Sequence, residues 1–109
     1  MFPLTVTFPD FDPSDAVRAA IEEKAEKLQN HFENITSCKV TVASPHHHHQ
    51  KGHSFHIQIV LHVPGQELVV SKEPEKNEAH TDVYVAIRDA FKAAERQLDD
   101  YARKLKEKH

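Results

Sequence analysis

Lys24, Lys27 and His31 recur at spacings that place them on one side of a helix. At about 100° per residue their side chains fall within roughly 60° of one another. Arg88, Lys92 and Arg96 step by four further along, and Arg103 lies on the same side. Two such helices packed on one side of a sheet would bring both rows into a positive groove. A groove of this kind binds phosphates with salt-sensitive affinity, and its Arg residues stack on splayed bases and hydrogen-bond their edges. The competing reading makes the rows ordinary solvated helix faces, with Glu95 and Asp99 pairing with Lys92 and Arg96. Spacing alone favours that second reading, because charged helix faces are common.

A second constellation is the run His46-His47-His48-His49, followed by Lys51 and His53. Consecutive imidazoles chelate zinc or similar ions weakly, and a metal-handling or protein-interaction module is one reading of the loop. A built metal site needs ligands fixed by a second shell, and no such support is visible nearby in the sequence. The loop reads more readily as a solvated hairpin tip, and next as a tip that meets a polyanion when partly protonated. His56 and His62 read as exposed strand residues.

Other chemistry is missing. No nucleophile motif surrounds the Ser, His and Asp residues, and Glu22, Glu23 and Glu26 read as solubilising charges on a helix face. Cys38, the single cysteine, excludes an internal disulfide and falls on a core-facing position, where a thiol packs as a small hydrophobe. Gly52 and Gly65 are the only glycines, so no Gly-rich phosphate loop exists. An enzyme is not expected, nor is a nucleotide or metal cofactor.

The elements that must position the cations follow from periodicity. Leu4 to Phe8 alternates apolar and polar, as a half-buried strand does. Asp12 reads as a helix N-cap with Pro13 at the first helical position. Val17, Ile21, Ala25, Leu28 and Phe32 then mark a helix over about 13–32. Ser37 to Ser44 reads as a second strand, with Cys38, Val40 and Val42 on one face. From His53 to Val63 the alternation puts Phe55, Ile57, Ile59, Leu61 and Val63 on one side, with Val60 breaking the polar side. Pro64-Gly65 is a turn, and Glu67 to Lys72 a fourth strand. A polar loop over 73–81 ends at Thr81, which reads as the next cap. Val83, Ile87, Ala90, Phe91, Ala94, Leu98, Tyr101 and Leu105 form the apolar stripe of one long helix over about 82–107.

The order β-α-β-β-β-α predicts an α+β fold. The first two strands should pair parallel through a right-handed crossover, and the later pairs should be antiparallel. One apolar face per strand places both helices on one face of a four-stranded mixed sheet, as in double-stranded-RNA-binding domains. The length of 109 residues suits a single domain with its own core. Hydrophobic residues make up 39% and charged residues 28%, a soluble globular balance. No apolar run is long enough to span a membrane, so the expected location is cytoplasmic.

Net charge is −3 with histidine neutral, which argues against indiscriminate nucleic-acid binding. The charge is uneven, however. Residues 10–36 carry three Lys/Arg against seven Asp/Glu, while residues 82–109 carry seven against six. Ten histidines sit near their titration midpoint at about pH 6.5, where half-protonation adds roughly +5 and reverses the sign.

Two helices carry a resemblance. Asp82-Val-Tyr84-Val-Ala86-Ile87-Arg-Asp-Ala-Phe, then Glu95-Arg96-Gln97-Leu98, then Arg103-Lys104-Leu-Lys106 resembles the C-terminal helix of the ribosome hibernation-promoting factors, also called the ribosome-associated inhibitor or sigma-54 modulation family. Ser14-Asp15-Ala16-Val17-Arg18, Glu23-Lys24-Ala-Glu-Lys27-Leu28 and Phe32-Glu-Asn-Ile35 support it in the first helix. The strand order agrees, and the likeness covers nearly the whole chain. It implies a short, single-domain, non-enzymatic factor that sits on small-subunit ribosomal RNA in the messenger and transfer RNA channel and silences idle ribosomes. No membrane, no DNA and a monomer off the ribosome are expected. By position, the RNA-binding residues would be Arg18, Lys24 and Lys27 with Arg96, Lys104 and Lys106. His31, Arg88, Lys92 and Arg103 join them only through the stripe geometry. Asp99 and Asp100 stand where the family usually carries basic residues, which weakens phosphate attraction there.

Overall fold

A computed structural model describes residues 1–10, 12–44, 55–72 and 82–107. The element order is β1 (Leu4–Thr7), α1 (Asp15–His31), β2 (Ser37–Ala43), β3 (His56–Val63), β4 (Gln66–Lys72) and α2 (Val83–Glu107). The strands form one sheet in the order β1-β2-β3-β4. β1 and β2 are parallel; β2–β3 and β3–β4 are antiparallel. This is the mixed four-stranded sheet that the alternation implies.

Register follows burial. Val6 pairs with Val40, Val40 with Ile59, and Ile59 with Val70, and all four are buried. A one-residue slip would turn that row out to water, so the apolar period specifies the pairing. α1 covers this face with Val17, Ile21, Ala25 and Leu28; α2 covers it with Ala86, Ile87, Ala90, Phe91, Ala94, Leu98 and Tyr101. The opposite face keeps Lys39, Thr41, His56, Gln58 and His62 at least partly exposed. Val60 stands among them, half-buried, across from Val69.

The element ends differ from expectation in instructive ways. Ser14, not Asp12, caps α1: its backbone is extended and its Oγ accepts from the Val17 N–H at 3.2 Å. The first helical residue is Asp15, so Ser14 is the residue whose side chain has the reach to the third helical N–H, and Asp12 stands too far back along the chain. Asp82 starts α2, its Oδ1 accepting from the Tyr84 N–H at 2.9 Å; Thr81 lies outside the described residues. β3 begins at His56, with Phe55 half-buried just before it. Leu105, the last member of the expected stripe, is 39% exposed. The Pro64–Gly65 turn is as expected, with Gly65 at φ +87°.

Cys38 faces the core beside Leu4 and Leu61 in register, and burial pushes its thiol up to about 12 from 9.0. A raised acid pKa means the folded protein keeps the neutral thiol while the unfolded chain ionises. Stability from this group is therefore complete below about pH 9 and is lost as pH rises toward 12. Iodoacetamide at pH 8 should label Cys38 in denaturant but leave it essentially unmodified in buffer, since the thiolate is the reactive form. Rapid labelling of the folded protein would contradict the burial.

Candidate functional site

α1 and α2 pack against each other on the sheet, and their seam opens into a groove of about 490 Å³. Lys24, Lys27 and His31 line it from α1, and Arg88 and Lys92 from α2. Leu28 and Phe91, both buried in the core, also reach its wall. Among the lining residues four permanent cations thus stand with one carboxylate, Glu95. The local sign is opposite to the net charge of −3.

Neutralisation by neighbours is partial. Lys27 Nζ lies 3.7 Å from Glu23, with both side chains about 70% exposed (68% and 70%). Such a solvated pair contributes at most about 1 kcal/mol and leaves the cation free to exchange partners. The Arg88 guanidinium donates to the Asp89 carboxylate at 3.2 Å. Lys24 and Lys92 have no carboxylate within 4.0 Å among the described residues. The pairs Lys92–Glu95 and Arg96–Asp99, which the spacing allows, do not form.

The groove gathers five of the expected residues and leaves five described ones outside. Arg18 sits on the opposite flank of the α1 stripe, its guanidinium 5.8 Å from the centre of the Phe8 ring. Arg96 and Arg103 miss the groove for a geometric reason. A four-residue step advances about 40° around a helix, so Arg96 has rotated some 80° away from Arg88. The position that keeps facing the seam is seven residues on, Glu95, at about −20°. The helical period alone puts that acid on the seam, beside Lys92. Arg103 is instead paired with Asp100 at 2.8 Å. Lys104 lines a separate depression of about 310 Å³ with Gln66 and Glu107, and Lys106 is exposed on the last turn. His46, His47, His48, His49, Lys51 and His53 lie outside the described residues. Among the described residues no three His, Cys, Asp or Glu side chains are grouped to hold a metal, and no helix is long and apolar enough to cross a membrane.

Comparison with known proteins adds a family. The family model described as sigma 54 modulation protein / S30EA ribosomal protein matches residues 4–106. The ribosome hibernation promoting factor of Azotobacter vinelandii is 37% identical over 87 residues, covering 80% of this chain and 70% of that protein. The N-terminal domain of Protein Y from Thermus thermophilus superposes with a TM-score of 0.71 at 20% identity, over 93% of this chain and 99% of that one. A ribosomal subunit interface protein from Coxiella burnetii gives 0.75 at 19% identity, over 94% and 99%. At those identities the two structures speak for the fold. The family match over residues 4–106 and the 37% identical relative make this chain a member of the sigma 54 modulation protein / S30EA ribosomal protein family.

Proposed function

We propose that this chain is a single ribosome-binding domain that holds small-subunit ribosomal RNA in the groove between α1 and α2. It acts in the cytoplasm as a monomer, blocks the messenger and transfer RNA channel sterically and silences idle ribosomes without bond chemistry. The observation that carries this reading is the convergence of Lys24, Lys27, His31, Arg88 and Lys92 on one groove in a chain of net negative charge. Cations concentrated against the overall sign mark the face that an anionic partner meets. The family match supplies the ribosome as that partner.

The test is co-sedimentation with purified small subunits across a salt series, with messenger RNA as competitor. Binding should weaken steeply with salt and yield to the competitor. Salt-independent binding, or binding indifferent to messenger RNA, would overturn the reading. Position in the groove also ranks the cations. Arg103→Glu should change affinity by no more than about threefold, because Arg103 lies outside the groove and already faces Asp100. A loss as large as that of Lys92→Glu would move the interface to the far end of α2.

A further inference from the structure

The cationic groove continues past His31. Asn30 and His31 also line a second depression of about 360 Å³, where the wall changes character. Phe32, Leu98, Tyr101, Ala102 and Leu105 replace the cations there. The volume falls in the range of about 300–1,000 Å³ typical of small-ligand pockets. Its origin is a mismatch of lengths. α1 stops at His31 while α2 runs on to Glu107, so the last apolar positions of α2 have no helix opposite them.

The walls are held in place. The His31 and Phe32 rings meet with centroids 5.5 Å apart and planes tilted by 56°. This contact sets the imidazole beside the Phe32 ring at the junction of the two compartments. The Tyr101 hydroxyl donates to the Pro64 carbonyl at 2.7 Å, which satisfies its polar end and leaves the ring as wall. Asn30, Glu33 and Asn34 put amide and carboxylate groups around the same depression.

We propose that the two compartments together seat one RNA strand with an unpaired base: its phosphates lie over Lys24, Lys27 and Lys92, and its base enters the depression walled by Phe32, Tyr101, Ala102 and Leu105. This rests on the RNA-binding function proposed above and specifies the form of RNA. The occupant must join an anion to a flat apolar group across His31. Lys24 to His31 spans about 10 Å of helix, enough for successive phosphates of one strand. A duplex offers the phosphates but keeps its bases inside. An apolar peptide would fill the depression and gain nothing from the cations. A splayed nucleotide uses both, stacking on apolar and aromatic walls while its edge hydrogen-bonds to the asparagines.

The test uses fluorescence anisotropy with three probes: a short labelled oligoadenylate, the same strand with one central abasic nucleotide, and an RNA duplex with the same number of phosphates per strand. Ala102→Trp fills the depression. Leu105→Ser strips its rim at an exposed position, and it decides the matter if the tryptophan variant does not fold. Each variant should weaken oligoadenylate binding about tenfold and leave duplex binding unchanged. The abasic strand should lose a similar factor on the unmodified chain and nothing further on Ala102→Trp. If neither variant nor the abasic gap shifts affinity by more than about twofold, while Lys24→Glu with Lys92→Glu abolishes binding, the base seat is wrong and the RNA-binding function stands. If the double charge reversal also leaves oligoadenylate and subunit binding intact, both fall.

Discussion

Replacing Lys24, Lys27, Arg88 and Lys92 together by Glu is expected to weaken binding to small ribosomal subunits about a thousandfold or more. Hydrogen bonds from charged donors contribute about 1.5 kcal/mol or more each, so four would sum to roughly 6 kcal/mol, or about ten-thousandfold. The four side chains share one groove, and neighbouring contacts are not additive, which lowers the expectation to about a thousandfold. The salt series separates this mechanism from a loss of fold. Four phosphate contacts on single-stranded RNA give a slope of log affinity against log salt near −3, so a fourfold rise in salt weakens the unmodified chain about 50-fold. The variant should show a slope near zero. Its thermal stability should move far less than its affinity, because Lys27–Glu23 is a solvated pair and in Arg88–Asp89 only the carboxylate is half-buried. Subunit binding that keeps its strength and its slope after these four changes would remove the groove from the mechanism.

The double reversal of Lys24 and Lys92 should account for most of that loss. These two have no carboxylate partner among the described residues, whereas Lys27 and Arg88 each share one. Glu95 works the other way. It is the one acid lining the groove, so Glu95→Gln should tighten binding modestly, by about two- to fivefold through relief of phosphate repulsion. A loss on that change would instead make Glu95 an acceptor for a base amine.

Sequence patterning revealed the fold more fully than the site, and the reason is physical. A strand has a period of two, so Ile57, Ile59, Leu61 and Val63 declare their face over a few residues, and the sheet order then follows from the connections. A helix has a period that no integer step matches. A row of cations four apart therefore drifts, and Arg88, Lys92 and Arg96 do not stay on one line. Convergence of two helices also depends on where each ends. α1 ends six residues before β2 begins, with Phe32 as its C-cap; no local propensity states that this exposes Leu105 and opens the second depression. Asp12 and Ser14 are both good capping types, and Pro13 suits the first helical position after Asp12, so local propensity does not separate a cap at Asp12 from the one formed by Ser14. Glu95 belongs to the groove by the same arithmetic that expels Arg96.

Ile59→Ala is expected to cost about 2–5 kcal/mol of folding stability. Ile59 is fully buried at the centre of the row Val6–Val40–Ile59–Val70 on β1 to β4, on the strand that α2 packs against. Removing its outer carbons leaves a void that the paired strands, locked by register, close only in part. Against a total of about 5–15 kcal/mol for a small domain, this is a large fraction, and a melt should show Tm lower by roughly 10–20 °C. At a temperature where the variant is still folded, its affinity for small subunits should stay within about twofold, since every groove cation remains. The charge reversals predict the mirror image, binding lost with stability kept. Crossed behaviour would be informative in one direction: if folded Ile59→Ala protein binds weakly, the seating of α1 and α2 on the sheet sets the groove width. The core would then contribute to recognition through the distance between Lys24 and Lys92 rather than through folding alone.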